Sequence, residues 1–166
     1  MKTKDNLKAA FAGESQANRK YLAFARQADK EGYPVIASLF RAVAEAETVH
    51  AHTHLRNLGG INDTLTNLRE AKGGEDYEVA EMYPAMVATA EVEGEKKAAQ
   101  GMRNAMNVEK IHSQLYQKAI EALERGKDLD HEEIHVCDYC GHTIFGEAPD
   151  QCPICGAGKS AYRKVK

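Results

Sequence analysis

The sequence predicts an all-α four-helix bundle with a small cysteine-rich metal domain at its C-terminal end. Three observations support this prediction. Apolar residues recur with helical spacing over four long segments, two of these segments carry Glu-x-x-His motifs beginning at Glu47 and Glu109, and all four cysteines lie in the last 30 residues. We therefore assign residues 1–126 to the bundle, 127–135 to a polar linker and 136–166 to the metal domain.

The first two helices are predicted over residues 5–30 and 35–58. The apolar stripe of the first helix contains one carboxylate, Glu14. Gly32 and Pro34 separate the helices, because glycine favours a helix end and proline favours a helix start. The stripe of the second helix turns polar at its Glu-x-x-His motif, which indicates ligands that face the bundle interior.

The remaining two helices are predicted over residues 63–93 and 95–124. The stripe of the third helix contains Glu75 and Glu78 among its apolar residues. Pro84 lies inside this segment and lacks a backbone donor, so we expect it to bend one long helix.

Two Glu-x-x-His motifs and three further glutamates form a candidate dinuclear metal site. Residues at i and i+3 share a helix face, so both side chains of a motif can point at one spot. The spacing repeats, since Glu14 precedes Glu75 by 61 residues and Glu47 precedes Glu109 by 62. Such a set from four helices is typical of dinuclear carboxylate sites in bundles. The candidate ligands are Glu14, Glu47, His50, Glu75, Glu78, Glu109 and His112.

An alternative interpretation places these glutamates on the surface, with the helix phase wrongly assigned. Two motifs at matching offsets, each in phase with an apolar stripe, favour the metal site, because buried carboxylates need cations. Carboxylates with one imidazole per metal suit iron or manganese. Iron is favoured if the site changes its redox state.

The four cysteines form two Cys-x-x-Cys pairs, Cys137 with Cys140 and Cys152 with Cys155, separated by 11 residues. Such pairs supply four thiolates to a tetrahedral site for zinc or a single iron. A purely structural zinc ribbon is the alternative. A redox-active bundle favours iron, because an iron tetrathiolate could return electrons to it.

The other histidines are predicted not to bind metal. We expect His52 to be exposed and His54 to lie one turn beyond the bundle site. His131, His135 and His142 have no ligand partners at useful spacing and are predicted on the surface.

Composition and charge exclude several other classes of protein. A net charge of -3 gives no electrostatic basis for binding nucleic acid or an anionic membrane. The charged N-terminus predicts no secretory signal, and no apolar run reaches the roughly 18 residues of a membrane span. We expect a cytoplasmic protein, and the absence of a Gly-rich fingerprint predicts that it does not itself bind NAD(P)H.

A set of motifs covers essentially the whole chain, and in this combination the sequence resembles the rubrerythrin family. The motifs are residues 10–17 around Glu14, Glu47-x-x-His50, Glu75-x-x-Glu78 followed by residues 81–84, Glu109-x-x-His112 and the Cys-x-x-Cys pairs.

The resemblance implies a ferritin-like di-iron bundle fused to a rubredoxin-like Fe(Cys)4 domain, in a homodimer. It implies a peroxidase of oxidative-stress defence that reduces hydrogen peroxide to water. Electrons would pass through the chain's own Fe(Cys)4 centre from a separate donor such as rubredoxin or a reductase, and ultimately from NAD(P)H. Zinc or manganese could replace iron in a given preparation.

The resemblance also implies individual roles. His50 and Glu78 would exchange on one iron, with the glutamate bound in the oxidised state and the histidine in the reduced state. Tyr21 and Tyr83 match family tyrosines near the di-iron centre. Glu14, Glu47, Glu75, Glu78 and Glu109 would be carboxylate ligands, with His112 on one iron.

Two other functions stay open from the sequence alone. A ferritin-like ferroxidase or iron-handling protein would use the same bundle, but it has no need of a tetrathiolate domain. A zinc-ribbon interaction module on a helical scaffold would leave the in-phase glutamates unexplained. The size of the native protein distinguishes the first alternative from a small peroxidase. The visible absorption of ferric tetrathiolate distinguishes the second, because a zinc site is colourless.

Overall fold

The computed structural model describes residues 2–130 and 133–165, and it confirms the predicted fold class. Long helices make up the chain up to Glu124, and a small three-stranded sheet with four clustered cysteines follows. The described residues group into two compact units, the first ending at Asn62 and the second beginning at Asp63.

The first unit is a helical hairpin of α1 (Thr3–Lys30) and α2 (Pro34–Asn57). Gly32 in the connection has a φ of +83°, a left-handed conformation that favours glycine. Alanines line the interface between the helices, and their small side chains let the two backbones approach closely. These buried alanines are Ala25, Ala28, Ala37, Ala44 and Ala51.

One buried amide fixes how α1 and α2 pack. Asn18 Nδ2 donates to the backbone oxygen of Ala44 over 2.7 Å and to Thr48 Oγ1 over 2.8 Å. Buried polar groups are retained where they are hydrogen-bonded in this way. The hairpin also leaves apolar side chains of α2 exposed within its own unit, among them Leu39 at 62%.

The helical part of the second unit contains α3 (Thr64–Tyr77), a π-helical segment (Glu78–Met82), α4 (Tyr83–Val92) and α5 (Lys96–Glu124). Here the structure differs from the single bent helix predicted over 63–93. The N–H of Tyr83 bonds to the oxygen of Glu78, five residues earlier. This wide turn directly precedes Pro84, which lacks the N–H that a regular α-helical turn would use.

The C-terminal strands β1 (Ile134–Cys137), β2 (Thr143–Phe145) and β3 (Tyr162–Lys164) form an antiparallel sheet in the order β2-β1-β3. A short 3₁₀ turn precedes β3. The buried centre of this domain consists of two cysteines and Ala161, so a metal must supply much of its stability. Within residues 2–130 and 133–165, no helix is both long and apolar enough to cross a membrane.

Candidate metal centres

The first unit contains a three-residue cluster of Glu14, Glu47 and His50. One ligand atom from each residue lies within 4.8 Å of the others. His50 Nδ1 is 2.9 Å from Glu47 Oε2 and 3.9 Å from Glu14 Oε1. The i, i+3 spacing on α2 brings the first pair together, and the α1–α2 packing brings in Glu14.

The second unit repeats this arrangement with Glu75, Glu109 and His112, again within 4.8 Å. His112 Nδ1 is 2.6 Å from Glu109 Oε2 and 3.9 Å from Glu75 Oε1. The repeat of spacing in the sequence therefore corresponds to two clusters of the same geometry. Two carboxylates and an imidazole nitrogen make each cluster suited to one iron.

The carboxylates of the second cluster repel one another where water is partly excluded. Burial, followed by the charge of Glu109, raises the pKa of Glu75 to about 7. Burial and the same charge raise the pKa of Glu78 above its ordinary value. Glu78 lies outside the three-residue cluster but within the electrostatic reach of Glu109. Bound cations would relieve this repulsion.

The metal-free protein is expected to gain stability as the pH falls from about 8 to about 5. Glu75 has a pKa of about 7 in the folded chain against an ordinary value of 4.5. Between these values only the folded state holds the proton, so lowering the pH favours folding. Thermal unfolding of metal-free protein, followed by helical circular dichroism, measures the effect. Glu75→Gln should remove most of it, and a midpoint that rises with pH would contradict this account.

Two tyrosines lie near the second cluster. Burial and the charges of Glu78, Glu109 and Glu75 raise the pKa of Tyr83, one of the two tyrosines that match family tyrosines. Burial and the charges of Glu75 and Glu109 also raise the pKa of Tyr116. The sequence reasoning missed Tyr116, although its position one turn beyond His112 could have indicated it.

Tyr21 lies in the first unit, on α1 two turns beyond Glu14. Its ring centroid is 6.3 Å from that of Phe24 and 6.4 Å from that of Phe40. The structure thus places Tyr21 in an aromatic cluster, and its role at the metal stays a prediction.

The four cysteines are free thiols whose sulfur atoms all lie within 4.8 Å of one another. Cys137 Sγ is 3.8 Å from Cys155 Sγ, and Cys140 Sγ is 3.6 Å from Cys152 Sγ. A tetrahedron with metal–sulfur bonds of about 2.3 Å separates its sulfurs by about 3.8 Å. The four thiols therefore fit a single tetrahedral ion.

The two Cys-x-x-Cys turns share one backbone design. Gly141 and Gly156 follow the second cysteine of each turn with φ of +83° and +76°. Their N–H groups donate to the carbonyls of Cys137 and Cys152 over 2.8 and 2.9 Å. Burial opposes ionisation of Cys152, but the hydroxyl of Tyr162 and backbone N–H groups lower its thiol pKa to about 6.

His142 corrects one prediction, because it is buried, with 5% of its surface exposed, rather than on the surface. Its Nδ1 lies 2.6 Å from the hydroxyl of Tyr162, and the two rings meet edge to face. Burial lowers its pKa. His135 is half-buried, and its Nδ1 donates to the Gly146 carbonyl over 2.8 Å. His131 lies outside the described residues.

Thr143 is a further residue that the sequence reasoning did not single out. Its Oγ1 lies 2.9 Å from His112 Nε2. Nothing in the spacing of the motifs connects Thr143 to a histidine 31 positions earlier, so only the fold reveals this pair.

Comparison with known proteins identifies the family. The rubrerythrin family model matches residues 5–120, and the model of the rubrerythrin rubredoxin-like domain matches residues 135–163. Rubrerythrin-2 of Clostridium acetobutylicum is 34% identical over 97% of this chain and 95% of its own length. Rubrerythrin of Porphyromonas gingivalis is 38% identical over 99% of this chain and 90% of its own length.

Solved structures agree with these relatives. Nigerythrin in a partially reduced state and nigerythrin in a fully reduced, all-ferrous state each match with a TM-score of 0.59 and 33% identity. Each match covers 99% of this chain and 87% of the nigerythrin chain. The cofactors are a di-iron centre at Glu and His ligands and one iron at the four cysteines. The chain belongs to the rubrerythrin family, as a di-iron protein with a rubredoxin-like domain.

Proposed function

We propose that this protein is a di-iron peroxidase that reduces hydrogen peroxide to water with electrons relayed through its own iron tetrathiolate. One observation carries the proposal: a single chain holds two carboxylate–histidine clusters and a complete set of four cysteines with sulfur spacing for one ion. Peroxide reduction consumes two electrons and two protons and yields two waters. Iron held at these clusters would supply the two electrons and Lewis-acid assistance.

Each of the two clusters would supply the ligands of one iron. Glu14, Glu47 and His50 would hold one iron, and Glu75, Glu109 and His112 would hold the other. Glu78 and His50 would alternate as ligands of one iron, because a ferric ion prefers an anionic carboxylate and a ferrous ion accepts a neutral imidazole. This exchange would keep the number of ligands constant through the redox cycle.

The proton donors are protein groups near the carboxylates. Glu78 and Tyr83 lie close enough to Glu109 to experience its charge, so each is placed to pass a proton to a peroxide oxygen as it becomes water. Tyr21 is the corresponding donor of the first unit.

Electrons come from a separate protein such as a rubredoxin or a reductase, and ultimately from NAD(P)H. The protein acts as a homodimer, as the resemblance to the family implies. The functional context is defence of the cell against oxidative stress.

The test is peroxide-dependent turnover by iron-loaded protein of measured metal content. We expect two bundle irons and one tetrathiolate iron per chain, and oxidation of a reduced rubredoxin donor that requires added peroxide. Protein with zinc in all three positions is the control and should be inactive. Iron uptake well beyond three ions per chain, with oxygen rather than peroxide as oxidant, would instead establish a ferroxidase or iron store.

A further inference from the structure

The imidazole of His112 joins the helical part of the second unit to the four-cysteine domain. Its Nδ1 faces Glu109 Oε2 at 2.6 Å, and its Nε2 faces Thr143 Oγ1 at 2.9 Å. Thr143 is the first residue of β2 and lies three positions after Cys140. Both ring nitrogens therefore have defined partners, one in each part of the unit.

The hydrogen-bond pattern assigns the protons. Thr143 Oγ1 also lies 3.0 Å from the backbone oxygen of Gly141, which can only accept, so the threonine hydroxyl donates to it. The threonine oxygen must then accept from the Nε2–H of His112. In a neutral imidazole this leaves the lone pair on Nδ1, next to the carboxylates of Glu109 and Glu75. Two acceptors so close together need a positive charge between them, which a proton supplies in the metal-free protein and a metal ion would supply in the loaded one.

We propose that Thr143 is a positioning residue for the bundle metal site: it fixes the tautomer and ring orientation of His112 from within the four-cysteine domain. Partners at the second nitrogen of a ligating histidine orient the ring and raise its basicity. Gly141 holds this hydrogen-bond chain from Gly141 through Thr143 to His112 in place, because its own N–H is bonded to the carbonyl of Cys137 over 2.8 Å. A correctly folded cysteine turn thus sets the orientation of the histidine ligand before the metal binds.

Packing of α5 against the first cysteine turn supports this hydrogen-bond chain. Val108, one turn before His112 on α5, is 1% exposed. A side chain added at Gly141 would meet Val108 Cγ1 at 3.8 Å, so the helix and the first cysteine turn are in close contact. The position of Thr143 relative to His112 is therefore set by a packed interface.

The test measures metal affinity in the bundle of the full chain, with zinc in the four-cysteine site and cobalt(II) as the titrated probe. Thr143→Val keeps the shape but removes the hydroxyl, and we expect the affinity to fall by about 10- to 100-fold. Thr143→Ser restores the hydroxyl and should bind like the wild type. Thr89→Val is the matched control, because the Thr89 hydroxyl is exposed and bonds to the Ala85 carbonyl within α4.

Wild-type affinity in Thr143→Val with an intact four-cysteine site would overturn the proposal. Thr143→Ala is the second variant if Thr143→Val loses the tetrathiolate. Loss of that site in both variants would overturn it as well, because Thr143 would then serve only the fold of the cysteine domain.

The proposal rests on the assignment of His112 as a ligand, which a separate variant tests. Wild-type cobalt affinity in His112→Ala would remove that assignment, whatever the Thr143 variants do. Weak binding in His112→Ala together with normal binding in Thr143→Val would refute the positioning role of Thr143 and leave His112 as a ligand.

Discussion

Cys152→Ser is expected to abolish the iron tetrathiolate and, with it, donor-driven peroxide reduction. Although burial opposes ionisation, the hydroxyl of Tyr162 and backbone N–H groups lower the pKa of the Cys152 thiol to about 6, which favours the thiolate form that binds iron. A serine hydroxyl stays protonated and is a hard, weak ligand for this site. Three thiolates would remain around a domain whose buried centre is itself made of cysteine, and the domain should lose its fold.

The measurements are the visible absorption of ferric tetrathiolate, turnover with reduced donor, and helical circular dichroism. The first two signals should disappear while the helical signal persists, because the helices bury their own alanine-lined interface. Asp150→Ser, two positions earlier and exposed, is the control and should retain all three. Loss of the helical signal in Cys152→Ser would contradict the predicted division into residues 1–126 and 136–166.

Glu78→Ala should slow peroxide turnover severely and weaken the oxidised form, while leaving ferrous iron bound. The proposed reason is the loss of the anionic ligand that the ferric ion prefers. His50→Ala should have the opposite effect and weaken iron binding in the ferrous form first. Iron content of the oxidised and reduced protein, together with steady-state peroxide reduction, measures both effects.

The matched control is Glu81→Ala, which removes an exposed carboxylate from the same π-helical segment. It should change stability by no more than about 0.5 kcal/mol and leave turnover intact. Wild-type rates in Glu78→Ala would remove the exchange hypothesis and leave an ordinary ferritin-like site.

Patterns of fixed period were readable from the sequence. The helices α1, α2 and α5 follow the apolar stripes within about two residues of their predicted ends, because a period of 3.6 residues identifies a buried face. Both Glu-x-x-His motifs lie together with a further glutamate for the same reason. The cysteine pairs were predictable because metal-binding turns tolerate little variation in spacing.

The rest depended on three-dimensional packing that no local pattern encodes. The π-helical turn at Glu78 inserts one residue into a helix, which periodicity alone does not predict. His142 is buried because it meets Tyr162, 20 residues later. Thr143 and Tyr116 acquire their importance only when the chain folds around His112 and Glu109.

The alanine-lined interface of α1 and α2 has a mechanical consequence for the first cluster. Because Ala25, Ala37 and Ala44 have so little side chain, backbone atoms rather than adjustable rotamers set the distance between the helices. The spacing of Glu14 and Glu47 is therefore stiff, and a larger residue in that interface would act as a wedge between them. The geometry of the first cluster is thus set in part by residues that cannot bind a metal themselves.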